Sequence, residues 1–392
     1  MNTQSTPVHI RLWHHDFWRM AMANLLLTMA VYLLVPVLPQ WLLNTQGLTL
    51  QETGLAMGAF GIGLFLFGCF TCFLVEHYRR NMACVWAVLL MTASLGLLLY
   101  LDSQQAVFAS FWVILLQRLV MGASFGVAQI ILSSTLIIDT CESYQRTEAN
   151  HSASWFSRFA LSLGPVTGIL LARLVGFSYV ILAAMGCALA TVVLILLVNF
   201  PFRAPREDVP FVSLDRFLMP RSWPLFVNLL LITLVVGLLV STGLSELFYA
   251  MVMTGFLLAL LAQRFVFRDA ELKSEVVSGL VLIGAALLMS LTRQQAIVDF
   301  ASPLFVGFGL GIIGSRFLLF FIKLSRHCQR GTSQSTFLLG WESGIALGIG
   351  VGYGLLGGDA SRVLQLSLVL TVLALLFYNF FTHNWFLRHK NR

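Results

Sequence analysis

The sequence predicts an all-α polytopic membrane protein with twelve transmembrane helices arranged as two pseudo-symmetric six-helix bundles. Three observations support this fold class. Hydrophobic residues make up 58% of the 392 residues and charged residues only 10%, and the mean hydropathy is +0.86, whereas soluble domains carry about 25% charged residues. The apolar residues form runs that are long enough to cross a bilayer. The second half of the chain resembles the first.

The apolar runs define twelve predicted spans, because a helix needs about 20 apolar residues to cross the hydrocarbon core. The spans are 18–43, 51–75, 82–101, 106–138, 152–176, 178–200, 222–243, 244–267, 275–292, 299–324, 334–357 and 362–386. A polar segment divides the chain near its middle. We therefore predict an N-terminal bundle at 1–199, a cytoplasmic linker at 200–223 with a short interfacial helix near 214–217, and a C-terminal bundle at 224–392.

The distribution of Lys and Arg predicts the orientation, since cytoplasmic loops carry the excess of positive charge. With both termini in the cytoplasm, 18 of the 24 Lys and Arg residues lie on the cytoplasmic side, three on the other side and three within spans. This asymmetry explains the net charge of +7 without a nucleic-acid partner, because no basic domain is present. The short loops favour a bacterial inner membrane.

The two halves repeat each other weakly. LQETGLAMGAFG, from Leu50, resembles LSELFYAMVMTG, from Leu244. Span five matches span eleven at an offset of 184 residues, which places Arg158 on Glu342. The glycine pairs of spans four and five also recur in spans ten and eleven. Two related six-helix halves explain this pattern better than chance similarity between apolar helices.

Glycines four residues apart occur in two spans of the first half. Span four contains RLVMGASFG, with Gly122 and Gly126, and span five contains ALSLGPVTG, with Gly164, Pro165 and Gly168. Glycines at this spacing let two helices approach closely, and a proline removes a backbone donor and lets a helix bend. We predict that these five residues serve helix packing and gating.

The six-plus-six spans, the basic central loop and these motifs resemble the major facilitator superfamily of secondary transporters over the whole chain. The family's loop motif G-x-x-x-D-R-x-G-R-R corresponds to CFLVEHYRRN, with Glu76 at the Asp and with Cys72, His77 and Arg79 as departures. The span-four motif R-x-x-x-G-x-x-x-G is kept. The span-five motif G-x-x-x-G-P-x-x-G, which is commoner in exporters of the family, has Ala160 at its first glycine.

The resemblance implies alternating access of two bundles about a central site formed mainly by spans one, four, seven and ten. It also implies a cytoplasmic latch that breaks and re-forms in each cycle. In this latch Glu76 meets a helix N-terminus of the other half, and Arg79 and Arg80 pair with Asp139 or Glu142. The alternative is that these loop charges only set the membrane topology.

Four charged residues stand out because they lie inside the predicted spans, away from the ends: Arg118, Arg158, Arg316 and Glu342. Each costs roughly 2.5–3.5 kcal/mol at the membrane centre, so we expect them to face the bundle interior. Arg316 and Glu342 both lie about 10–12 Å from the cytoplasmic surface at 1.5 Å per residue, which predicts an ion pair. Glu342 is then a proton-coupling residue, a substrate-binding residue or half of a static pair.

The other two arginines also leave alternatives open. Arg118 lies near the middle of span four, where it couples protons, binds an anionic group or hydrogen-bonds to carbonyls. Arg158 reaches Asp139 or Glu142 only if span five dips towards the cytoplasm. The remaining candidates for binding or coupling are polar side chains, each of a kind that more often makes a packing hydrogen bond than a ligand contact. They are Asn24, Tyr32, Gln129, Asn228 and Trp341.

We predict a proton-coupled exporter of a small amphipathic compound, which works as a monomer in the lipid bilayer. The chain lacks G-x-x-x-x-G-K-[ST], so an ion or substrate gradient supplies the energy. Alternatives are an uptake symporter or facilitator for a specific metabolite, and a non-transporting scaffold or sensor. An enzyme is not expected, because no cluster of His, Asp and Glu lies at one interface. No cofactor or metal is expected either.

Overall fold

The computed structural model describes residues 11–104, 110–200, 209–267, 271–293, 295–326 and 329–391. The described residues contain helices, turns and loops and no strand. The α-helices are α1 (His15–Tyr32), α2 (Leu38–Asn44), α3 (Leu50–Leu66), α4 (Thr71–His77), α5 (Arg80–Ser103), α6 (Phe111–Ile131), α7 (Ile137–Asp139), α8 (Arg146–Leu174), α9 (Phe177–Leu196), α10 (Trp223–Val240), α11 (Glu246–Phe265), α12 (Leu272–Thr292), α13 (Ala296–Leu324), α14 (Arg330–Gly354), α15 (Ala360–Phe377) and α16 (His383–His389).

Local sequence signals fix several of the helix ends. The side chain of Thr49 accepts a hydrogen bond from the backbone N–H of Glu52, whose carboxylate returns to the Thr49 backbone, and this capping box begins α3. Predicted span two is broken in its last third, where α3 ends at Leu66 and a 3₁₀ turn at Gly68–Phe70 leads into α4. A π-helical turn at Leu132–Leu136 likewise joins α6 to α7 within predicted span four.

Ten segments of the described chain are long and apolar enough, by length and composition, to cross a membrane. They are Leu50–His77, Arg80–Ser103, Phe111–Asp139, Arg146–Leu174, Phe177–Leu196, Pro220–Val240, Glu246–Phe265, Leu272–Thr292, Ala296–Leu324 and Ala360–His389. The two remaining predicted spans correspond to α1 and α14. Both carry more polar residues, and the first half of α14 is buried against other helices. The total of twelve, and the domain boundaries at 199 and 224, remain predictions.

The glycine pairs bring equivalent helices together in the two halves. A Cβ on Gly122 in α6 would lie 2.2 Å from the carbonyl oxygen of Phe60 in α3. A Cβ on Gly307 in α13 would lie 2.2 Å from the carbonyl oxygen of Val252 in α11. The internal repeat therefore has a structural counterpart, in which each half packs two helices backbone to backbone.

The other predicted packing residues also lie at buried helix contacts. Gly126 in α6 approaches Leu64 in α3, and Gly164 and Gly168 in α8 approach the last turn of α1 and the residue after it. Pro165 is buried inside α8, which continues to Leu174. Their part in packing is visible here, whereas a part in gating stays a prediction.

Gly122→Ala should lower the unfolding free energy by about 1–3 kcal/mol, because its new methyl group meets the backbone of Phe60 at 2.2 Å. The control is Gly186→Ala in α9, where a Cβ has no neighbour within 4 Å. That control should gain about 0.5–1 kcal/mol from helix propensity. Thermal unfolding of the purified proteins in detergent measures both. Equal midpoints for the two variants would contradict the close packing of α3 and α6.

The described part of the linker packs against both halves. The backbone N–H of Ser213 donates to the carbonyl of Cys69 at 2.9 Å, and that of Met219 donates to Thr336 Oγ1 at 2.8 Å. The helix predicted near 214–217 is wrong: the segment is a turn, because Arg216 has φ +59°, which a right-handed helix does not allow. Residues 201–208 of the predicted linker lie outside the described residues.

Candidate functional site

A buried hydrogen bond joins the two halves of the chain near the centre of the molecule. The hydroxyl of Tyr32, at the end of α1, donates to Glu342 Oε2, in α14, at 2.9 Å. The Tyr32 residue is 2% exposed and Glu342 is 4% exposed. We call the surface along which the first and second halves meet the seam. Glu342 belongs to the second half, and its carboxyl group contacts the first half at Tyr32.

Tyr32 and Glu342 line a cavity of about 20 Å³ at the seam, together with Arg118 and apolar side chains of α1, α3 and α14. A cavity of this size holds about one water molecule. The central site is therefore closed to larger solutes in this conformation.

Arg118 faces this cavity from α6 and is 3% exposed. Its guanidinium lies 4.9 Å from the ring centroid of Phe60, and Nη1 contacts the sulfur of Met121 at 3.3 Å. Its Nε has no hydrogen-bond partner, and within the described residues Arg118 forms no ion pair. Of the alternatives predicted for this residue, hydrogen bonding to neighbouring carbonyls is not observed. A buried cation of this kind can receive an anionic group.

Two other predicted candidates surround the hydrogen bond. The amide of Gln129 lies close to the Glu342 carboxyl group, and the side chain of Trp341 lies close to the Tyr32 hydroxyl. Gln129 Nε2 is buried and lacks a hydrogen-bond partner among the described residues. The centre of the seam thus holds several polar groups with unused hydrogen-bonding capacity.

The side chain of Arg158 crosses the seam from the first half to the second, whereas Glu342 reaches from the second half to the first. From α8, its Nη1 donates to Ser315 Oγ in α13 at 2.7 Å, and its Nη2 donates to Ser154 Oγ at 2.8 Å. Its guanidinium also lies 4.6 Å from the ring centroid of Trp155. The conditional pairing of Arg158 with Asp139 or Glu142 is not observed among the described residues, because α8 directs this side chain towards α13.

Arg158 and Glu342 occupy matching positions in the internal repeat. Each side chain leaves its own half and bonds to the other half, Arg158 to Ser315 and Glu342 to Tyr32. Each half therefore contributes one buried side chain that bonds across the seam. The first half contributes the cation Arg158, and the second half contributes the ionisable acid Glu342.

The predicted ion pair between Arg316 and Glu342 is wrong. Arg316 Nε instead donates to Glu275 Oε2, in α12, at 2.5 Å, and the Glu275 side chain is fully buried. The physical reason is helix rotation, because successive residues point about 100° apart. Ser315 faces Arg158 at the seam, so the next residue faces α12. An estimate of depth along each helix therefore does not determine which neighbouring helix a side chain faces.

The two asparagines serve packing within each half. Asn24 Nδ2 in α1 donates to the carbonyl of Ala153 in α8 at 2.9 Å, and Asn228 Nδ2 in α10 donates to the carbonyl of Ala374 in α15 at 3.0 Å. Neither bond crosses the seam. A direct role of Asn24 or Asn228 in substrate binding has no support in these contacts.

The predicted latch residues lie at the end of the molecule where the linker runs, which we call the linker face. Arg80 and Asp139 form an ion pair there. Glu76 pairs with Arg216 Nη2 of the linker at 2.5 Å and does not meet a helix N-terminus of the other half, because the linker folds between them. In the loop before α8, the carbonyl of Glu142 accepts a hydrogen bond from a backbone N–H at 2.9 Å.

Polar contacts connect the two halves at both ends of the seam. At the linker face, Arg216 Nη1 donates to Thr135 at 3.0 Å, and its backbone N–H donates to Thr332 at 2.9 Å. At the opposite end, Arg173 in α8 forms a two-point ion pair with Glu246 in α11, at 2.6 and 3.1 Å. These contacts agree with the closed central cavity.

Sequence reasoning missed three residues of these networks: Glu275, Ser315 and Arg216. Glu275 is the first residue of predicted span nine, and a position at the end of a span does not indicate burial. Ser315 carries no charge, and Arg216 lies in the predicted linker. A helical-wheel comparison of neighbouring positions on span ten would have indicated that Ser315 and Arg316 face different helices.

The described residues contain no group of three or more His, Cys, Asp and Glu that could hold a metal ion. The geometry is that of two helical halves with isolated buried charges at their seam. This is the architecture of a secondary transporter, in which a central site lies between two halves of the membrane domain.

The chain belongs to the Major Facilitator Superfamily, whose family model matches residues 20–349. It is therefore an integral membrane protein of the transporter class and not an enzyme. A sequence comparison with curated proteins gives no match.

Solved structures of similar fold include transporters in different conformations. A bacterial homologue of the iron transporter ferroportin, in an outward-facing state, matches with TM-score 0.67 and 17% identity, over 95% of this chain and 99% of that one. A bacterial homologue of the human lysosomal transporter Spinster, facing inward, gives 0.66 and 14%, over 98% and 99%. The human organic anion transporter MFSD10 (TETRAN) gives 0.66 and 16%, over 92% and 98%. At these identities the similarity concerns the fold.

Proposed function

We propose that the protein is a proton-coupled exporter of small amphipathic compounds with an acidic group. It acts as a monomer in a bacterial inner membrane with its linker face in the cytoplasm. The observation that carries this proposal is the buried hydrogen bond between Tyr32 and Glu342 across the seam. A carboxyl group at this place changes its surroundings whenever the two halves separate.

The contacts of Glu342 support proton coupling. Its hydrogen-bond partner is a hydroxyl group, and Arg316, the cation predicted to neutralise it, is bound to Glu275. An isolated ionised carboxylate in a dry membrane protein interior is costly. Opening of the cavity to water would hydrate Glu342 and allow its proton to exchange. Closure would require the proton to be bound again, which links proton binding to the movement of the two halves.

The other walls of the cavity support the substrate class. Arg118 provides a buried cation for an acidic group, and Phe60 and the aliphatic side chains of α1, α3 and α14 provide apolar contact. A substrate must enlarge the cavity, because the closed space holds about one water molecule. Separation of the halves during alternating access provides that space. The span-five motif noted above, which is commoner in exporters of the family, supports export as the direction of transport.

The first test is growth of a bacterium that lacks its own efflux pumps. Cells that produce the wild type should survive higher concentrations of some acidic amphiphiles than cells with an empty vector. Arg118→Gln should lose this protection. The matched control Arg264→Gln, at an exposed arginine at the end of α11, should keep it. Protection that extends only to cations, and persists in Arg118→Gln, would contradict the acidic substrate.

The second test measures transport directly in sealed vesicles that contain only this protein. An imposed pH gradient should drive accumulation of the protective compound against its own gradient, and an ionophore that collapses the pH gradient should stop it. Movement in the direction of the proton would indicate uptake. Equilibration without accumulation would indicate a facilitator, and no movement at all would indicate a scaffold or sensor.

A further inference from the structure

An apolar groove lies on the side of the first half, away from the seam. It has a volume of about 940 Å³ and runs between α4, α5 and α6, with Phe211 of the linker at one side. This volume is at the upper end of the range of about 300–1,000 Å³ for ligand pockets. The groove faces outwards, since Trp86 and Leu90 on its rim are 66% and 50% exposed. A ligand of the groove would therefore come from the bilayer.

The groove exists because of local features of the sequence. Predicted span two breaks after Leu66, and the 3₁₀ turn at Gly68–Phe70 shifts α4 relative to α3. The aromatic ring of Phe217 from the linker occupies the space beside Gly68, where a Cβ would lie 1.9 Å from it. Small side chains of α5 and α6, including Ala87 and Ala123, leave the space open.

The length of the groove matches one leaflet of a bilayer. Along α5 it extends from Arg79 to Leu90, which is about 16 Å at 1.5 Å per residue. One leaflet contributes half of a hydrocarbon core of about 30 Å. The end at Arg79 lies towards the linker face. If the linker face is cytoplasmic, as proposed above, this end would lie at the level of the headgroups and the end at Leu90 near the middle of the membrane. A single acyl chain has this shape and polarity.

The charge at the mouth favours an anionic headgroup. Arg79 is exposed and lines the groove at its outer end, where its guanidinium adds positive charge. The neighbouring Arg80 turns inwards to Asp139. A basic residue near an anionic membrane surface contributes about 1 kcal/mol of attraction. The groove thus combines a cation at headgroup level with an apolar channel of leaflet depth.

We propose that this groove is a binding site for an anionic phospholipid of the linker-face leaflet, with one acyl chain between α4, α5 and α6 and the headgroup beside Arg79. The site does not depend on the proposed transport activity. Its lining residues on α6, which include Ser124 and Val127, differ from the glycines that contact α3, and it includes Phe211 of the linker. A bound lipid would therefore contact α6 and the linker that joins the two halves.

Quenching of Trp86 fluorescence by lipids with brominated acyl chains tests the site. The purified protein is placed in phosphatidylcholine bilayers with increasing fractions of brominated phosphatidylglycerol or brominated phosphatidylcholine. The difference between the wild type and Trp86→Phe isolates the signal of Trp86. Half-maximal quenching should occur at a roughly fivefold lower fraction of the anionic lipid, as expected for one basic contact.

Three variants assign this preference to the mouth of the groove. Arg79→Gln should remove the difference between the two lipids, Arg79→Lys should keep it, and the control Arg264→Gln should leave it unchanged. Identical quenching curves for the two lipids in the wild type would overturn the proposal, whatever the behaviour of the variants. A preference that survives in Arg79→Gln would also overturn it, because the headgroup would then bind elsewhere.

Discussion

Glu342→Gln should abolish accumulation driven by a pH gradient and leave exchange of substrate across the membrane close to the wild-type rate. Glutamine resembles the protonated carboxyl group in size and polarity and can accept the hydrogen bond from Tyr32. The two halves can therefore still rearrange, but no proton moves with them. Vesicles with substrate on both sides measure exchange, and vesicles with an imposed pH gradient measure accumulation.

Tyr32→Phe is the matched control for this experiment. It removes the hydrogen bond, which Glu342→Gln can keep, and leaves the carboxyl group in place. It should therefore retain accumulation, although its rate can change. If Glu342→Gln still accumulates substrate under a pH gradient, Glu342 is not the coupling group. If both variants lose accumulation and exchange together, Tyr32 and Glu342 have a structural role in closing the seam.

Arg316→Met should lower the unfolding free energy by about 3–5 kcal/mol, because it leaves the fully buried Glu275 without its cation. Arg316→Met/Glu275→Met should recover most of this loss, since replacing both members of a buried pair by apolar residues is often neutral. Thermal unfolding in detergent gives the four stabilities of the double-mutant cycle, and the coupling energy should be large.

A second cycle, with Arg316→Met and Glu342→Gln, provides the comparison. The structure predicts almost no coupling between these two residues, because they contact different helices. A strong coupling of Arg316 to Glu342, together with a weak coupling to Glu275, would contradict the ion pair seen in the structure. It would support the Arg316–Glu342 ion pair that depth alone predicts. Both cycles contain Arg316→Met. A general destabilisation by this substitution therefore affects both cycles equally and cannot produce a difference between their coupling energies.

The sequence was sufficient for the fold because apolar length and glycine spacing are local properties. A run of about 20 apolar residues has few alternatives to a membrane helix, and ten such segments are present in the described chain. The repeat of Gly122 in Gly307 predicted that the halves are alike, and both glycines meet the backbone of a neighbouring helix. The turn at Arg216 could not be predicted, because contacts with distant residues support its left-handed backbone.

The central site was predicted only in part. The cost of a charge in the membrane identified Arg118, Arg158 and Glu342 as buried, and all three lie buried at the seam or its cavity. Their partners depend on the rotation of each helix, which a single sequence does not give. A rotation of about 100° between successive residues was enough to send Arg316 to Glu275 instead of Glu342.

The opposite signs of Arg158 and Glu342 have a consequence for assembly. These residues occupy equivalent places in two related halves, so a half that paired with a copy of itself would present the same side chain twice. Two copies of the first half would bring two arginines into one low-dielectric interface, where like charges repel strongly. The difference at this one position makes the two halves a matched pair and disfavours self-association of the first half during folding.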